Sequence, residues 1–265
     1  MKIKHCFTAA KQSGKKLFIP YITCGDPDLS TTEELIKSLV SIGADMIELG
    51  VPFSDPLADG VTNQMSAERA LKKRVSLSDC IALVKKLRHD SCEIPIILFS
   101  YFNPILNLGI EHFASQAEDA GIDGVLVVDL PIEEAEEFNA VLAAKNLSSI
   151  FLISPTTCLD RINKSAHMTT GFLYYVSRTG TTGTQACLSA TLNDELKALR
   201  SSTDLPIAVG FGISTPTQAA SVSQFADAVI VGSALVKILE NTNVSEAKQQ
   251  FIQTAKEFAV AIKNV

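Results

Sequence analysis

Glu48 stands in the run Met46-Ile47-Glu48-Leu49-Gly50, a carboxyl among apolar neighbours. A charged side chain in that setting must be paired, functional or at the mouth of a core. If it faces inward at a half-apolar mouth, burial raises its pKa, and a carboxyl titrating near neutrality can move a proton in either direction. A Glu buried in an ion pair is the competing reading. Asp59 follows in Asp55-Pro56-Leu57-Ala58-Asp59-Gly60. An Asp before Gly is ordinarily a turn former; here a second acid–base group is the alternative. Asp26 in Gly25-Asp26-Pro27 and Asp129 before Leu130-Pro131 close other apolar runs. Capping, turn support and chemistry are all open to them.

Elimination narrows the chemistry. A Schiff-base mechanism needs a lysine at a strand end, and none of the eight apolar runs holds one. Metal-dependent aldolases and isomerases usually need clustered imidazoles. His5, His89, His112 and His167 all fall in helical or surface-like stretches, where solvated or hydrogen-bonded histidine is the simpler reading, so no metal site is expected. Carboxylate catalysis without a cofactor remains.

Three glycine-rich turns offer an anion site: Thr179-Gly180-Thr181-Thr182-Gly183, Gly210-Phe211-Gly212-Ile213-Ser214 and Gly232-Ser233-Ala234. Glycine lets backbone N–H groups approach an anion closely, and a helix beginning just afterwards adds its positive end. Ser214 or Thr215 is a fitting N-cap for a helix starting near Pro216, and Gly232-Ser233 opens a helix-like stretch, Ala234–Leu239. No basic side chain is required; Arg178 lies nearby but serves equally well as a structural pairing residue.

The elements that must position these groups follow from periodicity. Eight short β-rich runs are Leu17–Thr23, Met46–Leu49, Ile94–Ser100, Gly124–Asp129, Ser149–Ile153, Phe172–Ser177, Pro206–Gly210 and Ala228–Val231. Between them lie helical patterns such as Thr32–Ile42, Ser78–His89, Ile110–Ala120, Ile132–Lys145 and Thr215–Gln224. Strand, helix, strand at this spacing means parallel strands and right-handed crossovers. The expected fold is α/β, a (β/α)8 TIM barrel over residues 1–265 as a single domain, with an extra N-terminal helix. An open doubly wound sheet competes, but an early Gly-x-Gly-x-x-Gly turn is missing. A weak echo, Gly43-Ala44-Asp45, Gly121-Ile122-Asp123 and Phe225-Ala226-Asp227, precedes the second, fourth and eighth runs. Barrel active sites lie at the C-terminal strand ends, and phosphate frequently binds after strands seven and eight. Tyr174 and Tyr175 are adjacent, so only one of them faces inward.

Composition sets the outer bounds. The chain has 265 residues, 46% hydrophobic, enough for a sizeable core. No apolar run approaches the roughly 18 residues of a membrane span, and the first residues lack a signal-peptide h-region. A net charge of -6 with scattered Lys and Arg argues against nucleic acid. Cys6, Cys24, Cys80, Cys92, Cys158 and Cys187 are widely spread without Cys-x-x-Cys, which reads as buried thiols in a reducing cytosol. A soluble cytoplasmic protein is expected.

The segment Glu48-Leu49-Gly50-Val51-Pro52-Phe53-Ser54-Asp55-Pro56-Leu57-Ala58-Asp59-Gly60 resembles the signature of tryptophan synthase alpha subunits. So do Pro20–Pro27, Asp129-Leu130-Pro131, Ser154-Pro155-Thr156-Thr157, Tyr174–Gly183, Gly210–Ser214 and Gly232–Val236, in family order across most of the chain. The resemblance implies retro-aldol cleavage of indole-3-glycerol phosphate to indole and glyceraldehyde 3-phosphate. Glu48 would act at indole C3 and the substrate hydroxyl, and Asp59 would accept the ring N–H. It implies phosphate on Gly183, Gly212, Gly232 and Ser233. Tyr174 would lie near substrate, and Tyr21, Phe99, Leu126 and Phe211 would form pocket walls, although ordinary barrel core also suits these four. A loop from Arg178 to Ser189 would close over substrate, with Thr182 touching Asp59. The implied partner is the beta subunit, in an αββα heterotetramer; pyridoxal phosphate would belong to that partner, with no cofactor in this chain. Val61 and Asn63 depart from the family, which commonly has Pro and an apolar residue there. Losing the proline loosens the loop, and Asn63 sets a polar amide against an expected apolar wall. Tyr21 replaces a frequent Phe and needs a partner for its hydroxyl. A weakly active subunit that mainly activates the beta subunit, and another phosphosugar barrel enzyme, are the alternatives.

Overall fold

The computed structural model describes residues 2–176, 185–210 and 212–265. Eight strands close a barrel in chain order. They are β1 (Leu17–Thr23), β2 (Ile47–Gly50), β3 (Ile96–Ser100), β4 (Gly124–Val127), β5 (Ser148–Ile153), β6 (Leu173–Val176), β7 (Ile207–Gly210) and β8 (Ala228–Val231), every neighbouring pair parallel. The helices are α1 (Lys2–Ser13), α2 (Leu29–Ser41), α3 (Val61–Lys72), α4 (Leu77–His89), α5 (Phe102–Leu108), α6 (Ile110–Ala120), α7 (Glu136–Ala144), α8 (Leu159–Met168), α9 (Gln185–Arg200), α10 (Pro216–Ser223), α11 (Ser233–Val236) and α12 (Val244–Lys263). Among the described residues no helix is long and apolar enough to cross a membrane.

Side chains alternate between two cores because successive residues of a strand face opposite ways. Leu17, Ile19 and Tyr21 of β1, Ile97 and Phe99 of β3, and Tyr174 of β6 join the barrel interior. Phe18, Ile22, Ile96, Leu98, Leu173 and Tyr175 pack outward against the helices. The alternation decides between the adjacent tyrosines: Tyr174 faces in, and the Tyr175 hydroxyl reaches Glu195 on α9 at 2.6 Å. The N-terminal helix closes the floor. Ile3, Phe7 and Ala10 share one stripe of α1 and join the interior core, where Phe7 meets Phe172 with ring centroids 5.4 Å apart.

Several expected boundaries shift for local reasons. Pro95 and Pro206 cannot donate to a ladder, so β3 begins at Ile96, two residues later than expected, and β7 at Ile207, one later, while both carbonyls still accept, from Ile47 and Leu173. The expected helix over Ile132–Lys145 is broken: a 3₁₀ turn covers Ile132–Glu134, and α7 begins at Glu136. Three residues per turn put Ile132 and Ala135 on one side, and both pack with Met168. Residues 185–189, expected in a loop, open α9, whose Leu192, Leu196 and Leu199 are buried at helical spacing. Cys24 and Cys80 are buried free thiols, but Cys158 is exposed, contrary to expectation, because it caps α8 at the surface. Cys187 lies outside the described side chains. All four histidines are exposed.

The sequence echo has a physical counterpart. Asp45, Asp123 and Asp227 accept from the backbone N–H groups of Phe18, Ile96 and Ile207, at 2.8, 2.9 and 2.8 Å. Their own N–H groups donate back to the carbonyls of the same three residues. Each carboxylate also meets a cation: Lys263, Arg88 and Arg200 respectively. This clip pins the starts of β1, β3 and β7 at the barrel's N-terminal face, where residues serve stability. Asp123→Ala should therefore strand the Ile96 N–H and unpair a mostly buried Arg88, costing about 3 kcal/mol. A urea titration should show the midpoint falling with its slope unchanged, and an unmoved midpoint would reject the clip.

Candidate active site

Glu48 lies in the middle of β2, register partner to Tyr21 of β1 and Ile97 of β3. Ile47 and Leu49 take the outward face, so Glu48 is turned inward at the C-terminal mouth. Only 1% of it is exposed. Its Oε1 is buried without a hydrogen-bond partner among the described residues. Burial, and secondarily the charge of Asp59, push its pKa up to about 8. Among the described residues no cation contributes to its shift, so none of them makes the ion pair that the competing reading requires.

A cavity of about 300 Å³ opens beside it. Tyr21, Phe99 and Tyr174 form an aromatic wall; Gly212, Ile213, Gly232 and Ser233 line it from the late strands; and Asn63 on α3 lines it too. Tyr21 and Phe99 meet edge to face, centroids 5.5 Å apart. The Tyr21 hydroxyl finds its partner in Thr23 Oγ1 at 3.3 Å. Leu126 is fully buried within the interior core, register partner to Phe99 and Ile150, and is not among the lining residues. Thr182, Gly183 and Phe211, together with Arg178, lie outside the described residues.

Asp59 sits at the rim, immediately before the α3 N-cap Gly60, where the helix's positive end favours an anion. Burial raises its pKa, while the hydrogen bond from Tyr101 pulls it down. Tyr101 Oη donates to Asp59 Oδ2 at 2.8 Å and accepts from the Ala58 N–H at 3.0 Å. Gln64 Nε2 donates to the Asp59 carbonyl at 2.8 Å. The Asp59 charge helps raise the pKa of Glu48, Tyr21 and Tyr174, so these groups share one electrostatic site.

The other two carboxylates hold this frame. Asp26 is buried and accepts from Arg69 Nε and Nη2 at 2.8 and 2.7 Å and from Ser66 Oγ at 2.6 Å, which docks α3 against the loop after β1. Asp129 Oδ1 accepts from the Phe102 N–H at 2.8 Å and secures the first turn of α5, whose N-cap is Tyr101. Thr215 caps α10 by accepting from the Gln218 N–H at 3.2 Å, with Pro216 in its first turn. Tyr101 escaped the sequence reading, since it stands outside every motif. The only available signal was its place directly after Ser100, where a barrel strand ends at the mouth.

Barrel and mouth together define a protein of the acid–base class, built around two carboxyls in unequal surroundings with an aromatic wall beside them. The chain belongs to the tryptophan synthase alpha chain family, whose model matches residues 7–264. It is 47% identical over 261 residues to the tryptophan synthase alpha chain of Pelobacter propionicus, covering 98% of this chain and 97% of that one. It is 46% identical over 263 residues to that of Geobacter sulfurreducens, covering 99% of each. Among solved structures, tryptophan synthase subunit alpha from Legionella pneumophila superposes with a TM-score of 0.93 at 39% identity, covering 100% of this chain and 99% of that one.

Two glycines make room for the aromatic wall. A Cβ on Gly50 would collide with the Tyr21 hydroxyl, and one on Gly210 with the Tyr174 hydroxyl. Gly50→Ala and Gly210→Ala should each displace a tyrosine and cost about 1–3 kcal/mol through overpacking. Thermal unfolding monitored by circular dichroism should register the loss, and wild-type midpoints in both variants would contradict the packing described.

Proposed function

We propose that this chain is a carbon–carbon lyase of tryptophan biosynthesis that cleaves indole-3-glycerol phosphate to indole and glyceraldehyde 3-phosphate. The observation that carries the reading is Glu48, a buried carboxyl at an aromatic cavity with no cation among the described residues, pushed up to about 8. Such a group is protonated at neutral pH and ready to give its proton.

The reaction balances with this chain's own residues. Glu48 gives its proton to indole C3, and the ring nitrogen takes up the positive charge. Asp59, ionised, stabilises the developing N–H cation. The Glu48 carboxylate then removes the proton of the glycerol hydroxyl. The carbon–carbon bond breaks, its electron pair returns to the ring, and an aldehyde leaves. The proton lent by Glu48 is thereby recovered. The iminium formed within the substrate is the electron sink, so neither a lysine Schiff base nor a metal is called for. Tyr21, Phe99 and Tyr174 would hold the ring, with Leu126 and Phe211 as further walls. Gly183, Gly212, Gly232 and Ser233 would take the phosphate, and Thr182 would steady Asp59 from the loop after β6.

The partner in this reading is the beta subunit in an αββα assembly, with pyridoxal phosphate belonging to that subunit. Leu57 on the Asp59 loop and Val61 and Met65 on α3 are 91%, 70% and 48% exposed. They form an apolar ridge beside the mouth, suited to receive it. One folded domain in the cytoplasm completes the proposal.

Glu48→Gln and Asp59→Asn should each nearly abolish indole release while leaving inorganic phosphate binding intact. Retention of even about a tenth of the rate by Glu48→Gln, only ~1.4 kcal/mol of barrel-mouth chemistry, would mean another group carries the proton. The assay belongs both with and without the beta subunit, since activity confined to the complex would favour a subunit that mainly activates its partner.

The pH dependence follows from the same pair. Glu48 must be protonated to act, so kcat/KM should fall as pH rises through about 8. Asp59 must be ionised, so activity should also fall in acid, at a pH above the ordinary aspartate range because burial raises this group. A profile that stays level through the alkaline range would refute Glu48 as the donor.

A further inference from the structure

A second cavity, of about 270 Å³, opens at the end of the barrel opposite Glu48. It lies where the chain leaves α1 and enters β1. Pro206 and Asp227 on its wall directly precede β7 and β8, and Arg200 ends α9. Phe7, Leu205 and Pro206 give it an apolar base, and Lys11, Lys15, Lys16 and Arg200 give it a basic rim. Four cations there meet two carboxylates, Asp204 and Asp227. The excess is local, since the whole chain carries a net charge of -6. Asp227 is already engaged: its Oδ2 accepts from the Ile207 N–H at 2.8 Å and from Arg200 Nη2 at 2.9 Å. Lys11, Lys15 and Lys16 have no carboxylate within ion-pair distance among the described residues.

Basic residues at a helix C-terminus ordinarily answer the negative end of the helix. That accounts for Lys11, in the last turn of α1. It does not account for Lys16, which lies beyond the helix and is held by the fold. Gly14 takes a φ of 64°, and the Lys15 N–H returns to the Ala10 carbonyl at 2.9 Å, which turns the chain under the barrel. Lys16 Nζ then donates to the Ala226 carbonyl at 2.8 Å, and Arg200 Nη2 donates to the neighbouring Phe225 carbonyl at 3.2 Å. One turn before β8 therefore holds two cations at the edge of the same cavity. Burial lowers the Lys16 pKa, Asp227 raises it, and Arg200 lowers it again. An anion in the cavity would offset both the desolvation and the repulsion.

We propose that this floor cavity is a second ligand site, separate from the mouth, for a small organic dianion: a phosphate monoester or a dicarboxylate with a short carbon body. The charge surplus of the rim sets the dianion, and the apolar base sets the carbon body. Lysines act as point charges without a preferred fork geometry, so either kind of anionic group suits them. The volume lies at the small end for ligand pockets, which admits a short-chain metabolite and not a nucleotide. Arg200 and the Asp227 it pairs with also secure the start of β7, so a ligand bound to the folded rim stabilises the barrel as well. The site does not rest on the lyase reading.

The test is an NMR titration of the ¹⁵N-labelled full chain at low salt with glycerol 3-phosphate, succinate and inorganic phosphate, and with uncharged glycerol as the control. The amides of Gly14, Lys15 and Lys16 and the Arg200 Nε–H report on the floor; the amides of Gly232 and Ser233 report on the mouth. At least one organic dianion should shift the floor signals to saturation, and glycerol should leave them in place. Lys11→Ser combined with Lys15→Ser removes two exposed side chains that hold nothing in the fold. It should weaken floor binding by about tenfold and leave the response at the mouth unchanged. Added salt should weaken floor binding in the wild type. A response to glycerol 3-phosphate alone, or to succinate alone, supports the site and tells which kind of dianion it takes. Floor signals that stay in place or drift without saturating with both, or that saturate equally well in the double variant, would overturn the proposal.

Discussion

A carboxylate inside an apolar barrel needs a cation, a set of donors or a proton, and among the described residues Glu48 meets no cation and its Oε1 meets no donor. Burial and the neighbouring Asp59 charge both drive it toward the protonated form. That state depends on register. A slip of one residue in β2 would turn Glu48 outward among the helices and bring Leu49 to the mouth. The clips at the barrel floor guard against such slips in the strands beside β2, since Asp45, just ahead of β2, ties the start of β1 and Asp123, just ahead of β4, ties the start of β3. Proton chemistry at one end of the barrel thus rests on carboxylate geometry at the other.

The two kinds of carboxyl are told apart by what surrounds them, not by residue type. Asp26, Asp45, Asp123 and Asp227 each have a cation and a backbone or hydroxyl donor as well, and they hold elements in place. Among the described residues Glu48 has none of these, and the Asp59 carboxylate has one uncharged donor, Tyr101. Carboxylates held by a cation and directed donors are fixed in place, which suits a scaffold. Carboxyls held by neutral groups remain responsive to a nearby charge, which suits proton transfer.

Much of this was legible in the residues. The eight strands show in the sequence because both faces of a barrel strand are buried, which leaves short β-branched and aromatic runs. Glu48 was conspicuous as a charge within such a run. Asp59 was not, because Asp before Gly suits any turn, and only its likeness to a family segment raised it. The echo at Asp45, Asp123 and Asp227 was visible as a pattern but not as a hydrogen-bonded clip, since the partner N–H groups lie a whole unit earlier in the chain. Tyr101 was invisible for a related reason: its contact with Asp59 joins the ends of two different strands. For Leu126 the inward face was readable from alternation, but whether it reaches the cavity depends on stagger between strands, which no single run encodes.

Asn63 joins these threads. Read as sequence, it is a defect in an apolar wall. In the structure it lines the cavity with Glu48, Tyr21 and Phe99, and its Oδ1 is buried without a partner among the described residues. A buried acceptor left unpaired costs more than an apolar group of the same shape would. Packing alone would therefore favour an apolar side chain here. Position 63 is where the stability of the wall and the polarity of the mouth pull in opposite directions.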